Sequence, residues 1–183
     1  MADPQHEEPL DPFDRTTVVA YRSGLTLAAL ALGATAVQDA LGQPTKTALW
    51  AVSAGVVASV ACMHLYDKRI RWVIASSAWT GAVLQIGASL NAGGLEHTVW
   101  LAGQGFFFVS LSALALKEQF CFRVPLLKAV PLFLAASLVP LTFQTSGAAI
   151  PLAVSSVVLS VLAYRKWKMP LHFDIGNRAL YQN

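Results

Sequence analysis

Charge is what this sequence has least of. Only 13% of its 183 residues are Asp, Glu, Lys or Arg, about half the share of an ordinary soluble domain. The charges present fall between long apolar runs, and 55% of the chain is hydrophobic. That pattern excludes a soluble globular domain and describes a polytopic membrane protein. Cysteine is scarce as well. Cys62 and Cys121 form no CxxC pair, which argues against a disulfide framework, a zinc site and thiol redox chemistry. No HExxH offers a metalloprotease centre. The stretch before the first apolar run is acidic (Asp3, Glu7, Glu8, Asp11, Asp14), so the positive start of a cleavable signal peptide is missing. The net charge of +3 is not a nucleic-acid footprint, because no basic groove interleaved with aromatics accompanies it.

What is present is a set of six apolar segments. A helix needs about 20 such residues to cross a ~30 Å hydrocarbon core. The segments are Thr16–Val37, Thr47–Tyr66, Trp72–Asn91, Thr98–Leu116, Val124–Phe143 and Ala148–Tyr164. The expected fold is therefore all-α: six transmembrane helices in three antiparallel hairpins over residues 16–164. An acidic N-terminal arm (1–15) precedes them, and a tail that is basic and then mixed (165–183) follows. Six crossings put both termini on one side with Arg15, Arg22, Lys68, Arg69, Arg71, Lys117, Arg123, Lys128, Arg165, Lys166, Lys168 and Arg178, and leave only Lys46 on the other. Basic loops stay inside, so both termini are expected in the cytoplasm, or in the stroma of a plastid. The repeating basic turns follow from topology alone. They do not support an inverted-repeat transporter.

Ionisable residues within a span are functional candidates, and here they are few. No Asp or Glu falls at mid-membrane, which counts against a proton-coupled pump. Lys128 lies one turn into the fifth segment, from which it can snorkel to the surface. Arg22 lies about 9 Å into the first segment at ~1.5 Å per residue. The preferred reading starts the helix nearer Ser23, lets Arg22 snorkel and has Asp39 cap the far end; the alternative is a buried pairing or a lipid headgroup. His64 and His97 fall on opposite faces of the membrane, which excludes a bis-histidine haem between them. His64 alone is a candidate ligand for chlorophyll or haem, against the plainer reading of an interfacial hydrogen-bonding histidine. His64 with His172 as a metal pair lacks matched spacing. "GASL" at Gly87–Leu90 resembles the serine motif of rhomboid proteases, but no helix places a histidine near Ser89 to take its proton.

The helices do carry packing chemistry. Ala51, Gly55 and Ser59 recur every four residues, as do Ser77, Gly81, Gln85 and Ser89. Small residues at this spacing let backbones approach, and Ser or Gln hydrogen-bond across the seam. Both stripes are expected to line the bundle interior, with a partner subunit or pigment as the sharper alternative. Phe106, Phe107 and Phe108 follow Gln104 and point around their helix, so at least one is expected to face lipid or a partner. Pro131 lies inside the fifth segment and is expected to kink it.

Distinctive residues gather on the cytoplasmic side. "YDKRIRW" (66–72), "KEQFCFR" (117–123) and the tail together form a basic surface suited to anionic lipids or a protein partner. The candidates there are Lys117, Glu118, Phe120, Arg123, His172, Phe173, Asp174 and Gly176. His172 and Asp174 are spaced to point one way on an extended strand, and Pro170 and Gly176 oppose a continuing helix. Phe173, Ile175 and Leu180 give the tail apolar groups to bury. It reads as an ordered, non-helical flap that packs on the "KEQFCFR" turn or a partner, with His172 and Asp174 holding its shape.

"AYRSGL" (20–25), "KEQFCFR" (117–123) and "MPLHFDIGN" (169–177) resemble signature stretches of DUF2301, a family of uncharacterised integral membrane proteins. The resemblance implies a cyanobacterial or plastid-bearing source and a thylakoid or plasma membrane; it implies no reaction. The first expectation is a non-enzymatic accessory, assembly or scaffold protein of a photosynthetic membrane complex, with no catalytic residue, metal or cofactor. The alternative is a small-solute transporter or channel, suggested by the kink and by Gln85, Asn91 and Gln104. A pigment, haem or enzyme site at His64, His172 or Asp174 ranks third.

Overall fold

A local signal starts the first helix earlier than hydropathy does. Asp11 and Asp14 cap each other: the Asp14 N–H donates to Asp11 Oδ1 at 2.7 Å, and the Asp11 N–H to Asp14 Oδ2 at 3.0 Å. Pro12 occupies the first turn, where its missing N–H costs nothing. The computed structural model describes residues 9–90, 94–122, 124–177 and 181. Asp3, Glu7, Glu8, Asn91, Arg123, Arg178 and Leu180 lie outside them. The described residues form seven helices and no strand: α1 (Pro12–Ala40), α2 (Lys46–Ala61), α3 (Lys68–Leu90), α4 (Glu96–Phe122), α5 (Val130–Thr142), α6 (Ala149–Trp167) and α7 (His172–Ile175). A 3-10 turn, Pro125–Ala129, leads into α5.

All six apolar segments become helical, but not equally. Four helices are long and apolar enough to cross a membrane: Pro12–Ala40, Lys68–Leu90, Glu96–Phe120 within α4, and Ala149–Trp167. Lys46–Ala61 and Leu126–Thr142 are apolar but shorter. The 16 residues of α2 reach only about 24 Å. Asp67 limits α2's hairpin by starting α3 early, its Oδ1 accepting from Arg69 N at 2.8 Å and Ile70 N at 3.1 Å. Pro131 does not take the interior position from which a kink was expected. Pro131 stands in the first turn of α5, where proline is tolerated, and Pro140 is the proline inside that helix.

The helices alternate in direction. α1 packs along α2 on one side and α6 on the other, while α3 pairs with α4. α6 leans on α1 more than on α5. The α1–α2 seam is the tightest. A Cβ on Gly24 would lie 2.6 Å from the Gly55 carbonyl oxygen, and one on Gly55 2.6 Å from the Ala28 nitrogen. Serines stitch the seams by donating to carbonyls of the facing helix: Ser59 to Tyr21 at 3.2 Å, Ser156 to Ala29 at 2.7 Å and Ser110 to Ile74 at 3.0 Å.

The expected stripe on α3 is half right. Gly81 and Gln85 are buried, together with Ile74, Ala78 and Ala88, whereas Ser77 is half-buried and Ser89 exposed. A four-residue step overshoots one turn by about 40°, so a strict four-residue stripe drifts off the buried face. Phe107 and Phe108 point inward and Phe106 outward.

Candidate functional site

Arg22 does not snorkel. With α1 starting at Pro12, it lies about 15 Å into the helix and only 2% of it is exposed. Its guanidinium donates Nε to Asp174 Oδ2 at 2.6 Å, Nη1 to the Met169 carbonyl at 2.8 Å and Nη2 to the Pro170 carbonyl at 2.9 Å. All three acceptors belong to the C-terminal tail. Burial without pairing would be costly for a guanidinium, and the tail supplies the pairing from the far end of the sequence.

Asp174 also pairs with Lys166 of α6. Lys166 in turn donates to Glu118 Oε2 at 2.9 Å. Glu118 Oε1 accepts the Tyr21 hydroxyl at 2.5 Å and stands 3.3 Å from Lys117 Nζ. Both ammonium groups lie over the Tyr21 ring, 4.9 Å (Lys117) and 5.0 Å (Lys166) from its centroid, close enough for cation–π attraction. α1, α4, α6 and the tail therefore meet in one chain, Arg22–Asp174–Lys166–Glu118–Tyr21, at one end of the bundle.

The tail is shaped to reach this place. One helical turn, His172–Ile175, turns Asp174 inward, so the expected non-helical flap is corrected to a tail that contains a short helix. Gly176 ends it at φ 63°, ψ −149°, a backbone region essentially restricted to glycine, with its N–H bonded to the His172 carbonyl at 3.0 Å. Asn177 N–H then donates to the Tyr66 hydroxyl at 2.8 Å, and Tyr66 packs on Tyr181 with the rings tilted by 53° and centroids 5.0 Å apart. Ile175 is buried. His172 stays outside the charge network and packs edge-on against half-buried Phe173, so Asp174 alone of the two anchors the tail. The tail reaches the "KEQFCFR" turn through Lys166, which bridges Asp174 to Glu118; Phe120 is exposed on the outside.

Arg22, Lys117, Glu118, Asp174 and Gly176 thus come together. Gly55, Ser59, Gly81 and Gln85 belong to the packing seams instead. Tyr21 and Lys166 were not among the candidates. Lys166 reads in sequence as one of a basic trio at a helix end, and only α6's rotation distinguishes it from exposed Arg165 and Lys168. His64 follows α2 in a non-helical stretch. Among the described residues no three His, Cys, Asp or Glu gather as metal ligands.

The opposite end differs. A cavity of about 450 Å³ there is lined by residues including Asp39, Lys46, His97, Pro140 and Gln144. Asp39 Oδ2 accepts from Gly147 N at 3.2 Å and Ala149 N at 2.8 Å, so it ties down the start of α6 from the end of α1.

A family model described as "Uncharacterized integral membrane protein (DUF2301)" matches residues 58–183, a span that holds Lys117, Glu118, Lys166 and Asp174. A curated relative from Haemophilus influenzae, described as "Uncharacterized protein", is 35% identical over 190 residues, covering 100% of this chain and 99% of its own. That similarity also takes in Tyr21 and Arg22. No solved structure matches.

Proposed function

The chain belongs to the DUF2301 family of integral membrane proteins, and from that premise we propose that it is a non-enzymatic accessory or scaffold protein whose docked tail completes a binding face on the cytoplasmic side. The observation that carries this reading is the buried network Arg22–Asp174–Lys166–Glu118. Buried ion pairs are expensive to desolvate and add little net stability. What they give is one fixed geometry, here for the tail. Around it stand exposed Arg15, Lys68, Arg69, Lys128, Arg165 and Lys168, each worth about 1 kcal/mol near an anionic leaflet. On this reading all six apolar helices cross. Short α2 and α5 are sheltered by their neighbours, and irregular backbone at membrane depth is tolerated when protein surrounds it.

The resemblance in the sequence suggested a photosynthetic complex. A full-length relative in Haemophilus influenzae favours a role in bacterial membranes generally, so the proposal rests on the bilayer and a membrane-protein partner. The test is affinity purification in mild detergent with mass spectrometry and an absorption spectrum. A membrane-protein partner that is retained by the unaltered chain and lost with Asp174→Asn is expected. Migration only as a free small protein would sink the reading. A chlorophyll or haem band would move the proposal to a pigment site such as His64.

A further inference from the structure

Several buried polar atoms find no hydrogen-bond partner among the described residues, and three of them lie in one seam deep in the bundle. α2 and α4 run parallel and meet at three successive rungs. Lys46 Nζ pairs with Glu96 Oε1 at 2.6 Å; Trp50 lies edge-on to Trp100 with centroids 5.9 Å apart; the Ser53 hydroxyl shares its one proton between the Leu49 carbonyl at 3.1 Å and Gln104 Oε1 at 3.2 Å. At the third rung Gln85 of α3 donates its Nε2 to the same Gln104 Oε1 at 2.9 Å. One oxygen thus takes both bonds. Gln104 Nε2, Gln85 Oε1 and, one turn nearer the surface, Trp100 Nε1 are left over. Gln85 and Gln104 have no exposed surface and Trp100 has 3%.

At membrane depth a lipid-facing or dry site cannot satisfy such groups. Their chemistry names the occupant. Two N–H donor groups and one carbonyl acceptor suit a molecule that both accepts and donates, and no ionised side chain joins Gln85 and Gln104 to hold a charged one. An opening lies at the outer end of this seam. Lys46 at the first rung, with His97 beside Glu96 in sequence, lines the cavity of about 450 Å³. In the other direction the polar groups stop: beyond Ser53 and Gln104 come buried Val56 and Phe107, which offer water no hydrogen bond.

We propose that water enters the bundle from this cavity along the α2–α4 seam and ends at Gln85 and Gln104. Eight residues separate Glu96 from Gln104, so the hydrated file is about 12 Å deep. It is a one-ended inlet, independent of the scaffold reading. In it Trp100 is the halfway donor, and Val56 with Phe107 forms the apolar stop.

Thiols react as thiolates, which form only where water reaches, so a cysteine scan tests the inlet. The full chain carrying Cys62→Ser and Cys121→Ser would be placed in proteoliposomes with either Ser53→Cys or Val56→Cys. Methyl methanethiosulfonate would be added and the mass followed with time. Ser53→Cys is expected to react at least ten-fold faster than Val56→Cys. Equal rates at the two positions, whether fast or slow, overturn the proposal. Radiolytic hydroxyl-radical footprinting of the unaltered chain gives an answer that needs no substitution in the seam. Trp100 is expected to oxidise at a rate near that of half-exposed Trp50, and protection as complete as that of Phe107, after correction for intrinsic reactivity, overturns the inlet.

Discussion

At the scale of single residues, Asp174 is the side chain through which the tail joins the buried charge network. It pairs with both Arg22 and Lys166, and both are almost fully buried. Removing one member of a buried pair typically costs about 3–5 kcal/mol. Asp174→Asn is therefore expected to lower the detergent-solubilised midpoint of thermal unfolding markedly. Adding Arg22→Met should cost less than the two single changes summed, because partners in one network are coupled. Additive losses in a double-mutant cycle would show that the pair does not act as a unit. Glycines give a second contrast. Gly24→Ala would push a methyl to within 2.6 Å of the Gly55 carbonyl and 2.7 Å of the Ser59 nitrogen. Backbone atoms cannot step aside, and overpacking of this kind costs about 1–3 kcal/mol. Gly87→Ala meets nothing within 4 Å and is expected to be neutral or to gain up to roughly 1 kcal/mol from helix propensity. Thermal unfolding of both variants, side by side, checks the α1–α2 seam.

At the scale of elements, the tail and the prolines show where sequence reading succeeded and where it stopped. Pro170 and Gly176 do bound the tail's structure, and Ile175 is buried as its apolar character suggested. A single helical turn between them was not legible, since four residues leave too little periodicity to distinguish it from a strand. Arg22 was legible as odd but not as paired. Its acceptors lie up to 152 positions away, and no local pattern reports such a distance. The start of α1 was readable in principle from Asp11–Pro12–Asp14, a capping signal that hydropathy ignores. Deleting everything after Lys168 removes three acceptors of Arg22 in one step. Lower steady-state abundance and faster proteolysis of the remaining bundle are expected, read by immunoblot after blocking synthesis. An unchanged half-life would mean that the tail is a passive extension.

At the scale of the whole molecule, apolar run length was enough to find every long helix, because burying apolar side chains in lipid or protein is the dominant demand on such a chain. It did not rank the pairings. Both α1–α2 and α1–α6 rest on Gly24, Ala28, Ala29 and Gly33, small residues that a hydropathy profile sees only as mildly apolar. The proposed topology makes a direct prediction. Reporter fusions active only in the cytoplasm should light up at both ends of the chain and after residue 67, and stay dark in the Gly42–Thr45 turn. Any other pattern removes the six-crossing arrangement.

The span from Arg22 to Asp174 also sets an order of events during synthesis. At about 5–20 residues per second, the ribosome needs about 8 to 30 s to make the 152 residues that separate the two charges. Throughout that interval the Arg22 guanidinium lacks the three acceptors that hold it in the folded chain. Seating of Arg22 is therefore a late event, because it waits on residues 169–174.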